Sequence, residues 1–153
     1  LTFKHLNAIA YIFFCTITGM VGCASSQVPL SNAELQLSKQ LALEYQCEVE
    51  FQHDYVALKS NRKNGVFWIQ LKSINNDLCS KDSSSLKKIA ADITARTEKI
   101  LSHKQSYISV TLNFKTTTVY HKQGYSITCD KDLNIDLADL NNVHIIYWDN
   151  GKL

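Results

Sequence analysis

"LKKIAADITARTEKIL", residues 86–101, followed almost at once by "SYISVTLNFKTTTVY", residues 106–120, decides the fold of this chain. In the first segment Leu86, Ile89, Ala90, Ile93, Thr97, Ile100 and Leu101 recur at spacings of three and four, the period of an amphipathic helix. Serines just upstream can cap that helix, and Asp92 with Arg96 fits a supporting pair on its outer face. In the second segment Ile108, Val110, Leu112 and Phe114 alternate with Ser, Thr, Asn and Lys, the period of a strand with one buried face.

Working outward, "EYQCEVEFQHDYVAL" (44–58) alternates Tyr45, Cys47, Val49 and Phe51 against polar residues. "VFWIQLKSI" (66–74) sets Phe67, Ile69 and Leu71 on one face. Asn64-Gly65 between them is a turn signal and predicts a hairpin, with "KSNRKNG" as its solvated loop. Ser31-Asn-Ala-Glu34 fits a capping box and predicts a helix over about 32–43, with a strand from about Leu43. After "HKQG", the runs "YSITC" and "VHIIYW" read as further strands. The expected order is helix, two strands, helix, three strands. The expected fold is α+β: a two-layer sandwich in which one long amphipathic helix and a short N-terminal helix cover an antiparallel sheet of about five strands.

The chain has 153 residues, 45% of them hydrophobic and 20% charged, with one Pro and five Gly, which argues against a disordered protein. It has room for one domain, expected over residues 33–153. Sixteen Lys and Arg stand against fourteen Asp and Glu, and Lys4 is the only charged residue before Cys23. No clustered basic stripe accompanies that small excess, so nucleic acid is not an expected partner.

Lys4 and His5 open the chain, and "LNAIAYIFFCTITGMVG" (6–22) follows as a short, interrupted apolar run. A hydrocarbon core needs about 20 apolar residues in a helix, so a secretory signal is a better reading than a span. An uncleaved anchor and an ordinary cleaved signal are the competing readings. "MVGC" (20–23) resembles the lipobox of bacterial lipoproteins, with Met20 where Leu is usual and Gly22-Cys23 as that family requires. The resemblance implies a lipoprotein signal peptide over 1–22 and cleavage before Cys23. It also implies acylation of Cys23 by three chains, enough for a stable anchor. Ala24, in place of the Asp that retains such proteins at the inner membrane, implies the outer membrane, with the domain in the periplasm. Residues 23–32 then form a short tether.

With Cys15 removed and Cys23 acylated, Cys47, Cys79 and Cys129 remain in an oxidising compartment, where one disulfide is expected. Cys79 in a polar loop and Cys129 at a strand end can approach most freely, which favours that pair; Cys47 fits a buried small hydrophobe.

No residue grouping names a reaction. The run "DKDLNIDLADLNN" (130–142) sets Asp130, Asp132, Asn134 and Asp136 at the alternate spacing of calcium-loop ligands. Ile135 nevertheless occupies the turn-glycine position and Asn141 the bidentate-Glu position, so an edge strand with Leu133, Ile135 and Leu137 inward is the better reading. The histidines (His5, His53, His103, His121, His144) have no zinc-site spacing, and His53-Asp54 would point to opposite faces of a strand. Ser84 and Ser85 beside Lys87 and Lys88 are better helix caps than nucleophiles. No cofactor and no metal are expected. Trp68, opposite Phe67 and Ile69, and Tyr147-Trp148 near the C-terminus are the candidate interaction residues.

These features predict a non-enzymatic outer-membrane lipoprotein that binds another envelope or periplasmic protein, for example as an accessory subunit of an envelope or secretion assembly. An immunity or inhibitor protein against a toxin or lysozyme is the alternative within that class. A hydrolase or ligand carrier with a pocket of perturbed polar groups is the alternative outside it.

Overall fold

The computed structural model describes residues 27–74, 78–120 and 124–149. The expected signal peptide and the acylated Cys23 lie outside the described residues. Along the described chain run α1 (Asn32–Tyr45), β1 (Glu48–Gln52), α2 (Tyr55–Lys59), β2 (Gly65–Ile74), a 3-10 turn at Leu78–Ser80, and α3 (Ser83–Ile100). A second 3-10 turn (Lys104–Ser106) leads to β3 (Tyr107–Tyr120), β4 (Gly124–Asp136) and β5 (Val143–Asp149). No described helix is long and apolar enough to cross a membrane.

The five strands form one sheet in chain order, β1-β2-β3-β4-β5. Pairing is antiparallel at β1–β2, β3–β4 and β4–β5, but β2 and β3 run parallel. The wholly antiparallel sheet expected from the sequence is therefore corrected to a mixed one. The cause is α3: a helix between adjacent strands carries the chain back to the end where β2 began, which makes a β-α-β crossover.

Other local expectations need revision. β1 and β2 pair antiparallel as the expected hairpin, but the connection is longer than a turn at Asn64-Gly65, because Asp54 caps the short helix α2 through Ala57 N at 2.9 Å. Gly65 lies in β2, not in a turn. A Cβ there would sit 2.8 Å from Ala57 Cβ and 2.9 Å from the Ser106 carbonyl, so its place reflects close backbone approach. Helix α3 is capped by Asp82, not by a serine: its carboxylate accepts from Ser85 N and from the hydroxyls of Ser84 and Ser85. The acidic run is not an edge strand, since β4 lies between β3 and β5. Strand β1 begins at Glu48, so Cys47 precedes it.

The capping box of α1 forms as the sequence predicts: Ser31 Oγ accepts from Glu34 N, and the Glu34 carboxylate accepts from Ser31 N at 2.6 Å. The core lies between the two long helices and one face of the sheet. Leu37 and Leu41 of α1 and Leu86, Ala90 and Ile93 of α3 meet Phe67, Ile69, Leu71, Val110, Leu112, Phe114, Leu133 and Ile135. Each of these strand residues occupies alternate positions, as the period of two requires. Among the described residues no helix covers the other face of the sheet.

Cys79 and Cys129 are joined, with their Cα atoms 6.0 Å apart. Both are buried, and Cys129 lies within β4 rather than at a strand end. The bridge fastens the connection between β2 and α3 to the middle of the sheet. Cys47 is a free, half-buried thiol whose pKa burial pushes up to about 11.

Candidate functional site

The open face, which no described helix covers, is built from side chains that the strand registers set in rows. One row runs Gln52–Trp68–Thr111–Asn134–His144, and the next runs Glu50–Gln70–Asn113–Asp132. A third runs Glu48–Lys72–Lys115–Asp130. Trp68 stands here because it is out of phase with Phe67, Ile69 and Leu71. Those three are buried, whereas Trp68 is 45% exposed. A shallow groove of about 230 Å³ lies against it, lined by Glu50, Gln52, Gln70, Asn113, Lys115 and Asp132 among others.

The centre of the face is tied together by amides. Gln70 Nε2 donates to Asn113 Oδ1 at 2.9 Å, and Asn113 Nδ2 donates to Asp130 and Asp132 at 2.6 and 2.7 Å. Asn134 Nδ2 donates to the hydroxyls of Ser109 and Thr111 at 3.0 and 2.9 Å. Lys115 reaches Asp130 and Lys72 reaches Glu48, each at 3.9 Å. Asp130, Asp132, Asn134 and Asp136 are therefore residues of an extended strand, whose alternate positions lie about 6.6 Å apart. They form no loop wrapped around an ion. Among the described residues no cluster of three or more His, Cys, Asp or Glu side chains is placed to hold a metal.

Tyr147 pairs with Asp132 and Trp148 with Lys131 in the β4–β5 ladder, although their side chains lie outside the described residues. Of the aromatic candidates named from sequence, Trp68 is the one whose side chain the structure places on the open face.

A second polar group, which the sequence did not disclose, lies inside the domain. Glu34 and His53 are buried, with His53 Nε2 3.4 Å from the Glu34 carboxylate. Ser102 donates to Glu34 Oε1 through its amide at 2.8 Å and its hydroxyl at 2.9 Å, and that hydroxyl is 3.3 Å from His53 Nε2. Tyr107 Oη lies 2.6 Å from His53 Nδ1. A nucleophile relay needs the hydroxyl on one imidazole nitrogen and the carboxylate on the other. Here the Ser102 hydroxyl and the carboxylate both approach Nε2, the serine hydroxyl is spent on the carboxylate, and the Tyr107 hydroxyl at Nδ1 is buried. The group acts as a clamp that joins the start of α1 to the segments before β3 and after β1. Burial raises the Glu34 pKa, but hydrogen bonds from Ser31 and Ser102 outweigh it and hold the carboxyl below its usual range. Burial lowers the His53 pKa against the opposing pull of Glu34. Tyr107 is raised, chiefly by burial.

Comparison of the chain with protein-family models, with characterised proteins and with solved structures finds no match.

Proposed function

We propose that this chain is an outer-membrane lipoprotein, anchored through acylated Cys23, whose periplasmic domain is a non-enzymatic protein-interaction module. The observation that supports interaction is the sheet face that no described helix covers, which presents a half-exposed tryptophan from the middle of a strand. Tryptophan on an exposed surface is the residue most enriched among interface anchors. The anchor rests on the "MVGC" resemblance. Leu30 packs against the core, so residues 24–29 would let the domain stand at most about 22 Å from the acylated cysteine, and the partner belongs to the envelope or to a periplasmic assembly beside it.

The test has two parts. Intact mass of the membrane-extracted protein, alkylated without reduction, is expected to give a chain starting at Cys23 with three acyl chains and one alkylated thiol, Cys47. A chain that begins ahead of Cys23, or one cleaved without lipid, overturns the anchor. A photo-crosslinking amino acid in place of Gln52, beside Trp68, is expected to capture a discrete envelope protein in cells. Capture of nothing above the uncrosslinked background overturns the interaction reading.

A further inference from the structure

We infer that the open face takes a cationic segment of its protein partner, with a lysine or arginine side chain laid on the Trp68 indole between Glu50 and Asp132; this rests on the interaction reading above. The first argument is charge segregation. The chain as a whole carries a formal charge of +2. The open face nevertheless bears Glu48, Glu50, Asp130, Asp132 and Asp136 against Lys72 and Lys115. Lys72 is matched to Glu48 and Lys115 to Asp130. Glu50, Asp132 and Asp136 are left without a cation among the described residues, and the first two line the groove beside Trp68.

The second argument is the balance of donors and acceptors. Both amide hydrogens of Asn113 are spent on Asp130 and Asp132, and Gln70 Nε2 gives one of its own to Asn113. What this centre still offers a ligand is mostly acceptor: the Glu50 carboxylate, the remaining oxygen of Asp132 and the Gln70 carbonyl. Ammonium and guanidinium groups donate and never accept. An indole face is the strongest aromatic platform for either cation, and it also covers the aliphatic stem. An anionic ligand would meet unpaired carboxylates. A neutral saccharide could stack on the indole, but it would leave the Glu50 and Asp132 carboxylates without a counter-charge.

The experiment titrates the full-length protein in nonionic detergent micelles with three probes: a decapeptide of alternating Arg and Gly, one of alternating Glu and Gly, and chitotetraose. Two-dimensional ¹H–¹⁵N spectra read the result, the Trp68 indole N–H being the reporter. The Arg peptide is expected to shift that resonance and the amides of β2, β3 and β4. Binding should weaken about tenfold in Glu50→Gln/Asp132→Asn, and weaken further as salt rises from about 20 to about 150 mM. Shifts concentrated away from the open face, affinity unchanged in the double variant, or equal shifts by the Glu peptide or chitotetraose overturn the inference. The crosslink from position 52 separates the two failures. A captured partner whose crosslinked segment lacks Lys and Arg overturns the cationic inference and leaves the interaction module standing. Absence of any captured protein overturns the module itself.

Discussion

Glu34 and His53, 19 residues apart in the chain, meet inside the domain with 3.4 Å between carboxylate and imidazole. The same carboxylate closes the first turn of α1 through Ser31 and holds Ser102 from the far side of the fold. One side chain thus caps a helix and bolts that helix to the segment before β3, at the point where the chain arrives from Cys23.

The clamp gives the domain an acid-labile stability. His53 has a folded pKa below its ordinary 6.5, so the unfolded chain takes up a proton first as pH falls. Stability is therefore full above about 6.5 and declines below it. Glu34 has a folded pKa below its ordinary 4.5, so its contribution is present above that value and lost as pH falls further. Both signs agree. Urea midpoints are expected to drop from pH 7.5 to 5.5 and again from 5 to 3.5. Glu34→Gln should cost about 2–3 kcal/mol at pH 7, since charge-assisted hydrogen bonds to a buried carboxylate are lost, and should flatten the lower limb. A midpoint independent of pH in the native chain would contradict this assignment.

The disulfide is the second fastening. It closes a segment of 50 residues, for which loop-entropy reasoning gives about 4 kcal/mol, with native bridges commonly measured at about 2–5. Cys79→Ser/Cys129→Ser is expected to lower stability by that order while leaving the sheet intact. Circular dichroism and thermal unfolding of the oxidised, reduced and doubly substituted chains check it. Reduced and substituted proteins should agree, and a reduced protein as stable as the oxidised one would count against a structural role.

Neighbours Phe67 and Trp68 test the two faces of β2. Phe67 is fully buried in the aromatic cluster with Phe51, His53 and Tyr107. Phe67→Ala should cost about 3–5 kcal/mol. Trp68→Ala removes a half-exposed ring, and is expected to cost under about 1 kcal/mol. Denaturant midpoints of the pair decide. Equal losses would mean that both faces of β2 are core.

The alternation of Phe67 and Trp68 is also the part of the design that a sequence discloses. A strand's faces are written at period two, so the buried set in β2, β3 and β4 and the phase of Trp68 opposite it were legible before any coordinates, whereas which face the helices cover was not. Strand direction is not written that way: a row of alternating residues packs equally well in either sense. The parallel β2–β3 pair follows only from counting the helix between them as a crossover. The Glu34–His53–Ser102 clamp was hidden for a different reason. Glu34 reads completely as a capping-box residue, and nothing in the chain marks that its second oxygen serves residues 68 positions away. Asp54 drew attention beside His53, but it caps α2 instead.

Asn113 offers the sharpest test of the open face. Its amide hydrogens bridge Asp130 and Asp132, two carboxylates on one side of β4 that otherwise face each other across an alternate position. A neutral residue with two donors is what that gap requires. Asn113→Asp replaces both donors with a third charge and removes the acceptor partner of Gln70 only in part. At pH 7 it should cost about 2 kcal/mol, from two lost charge-assisted hydrogen bonds and like-charge repulsion. Its pH dependence should oppose that of the clamp. As pH falls through the carboxylate range, the introduced acid takes a proton, repulsion is relieved and a donor returns. The deficit relative to the native chain is thus expected to narrow between about pH 6 and pH 4, even while both proteins lose the contribution of Glu34. Asn113→Leu, which lacks charge and donors alike, should carry a deficit that does not narrow. Parallel urea titrations of the three proteins across that range measure it. A constant deficit for Asn113→Asp would show that Asp130 and Asp132 do not depend on the bridging amide.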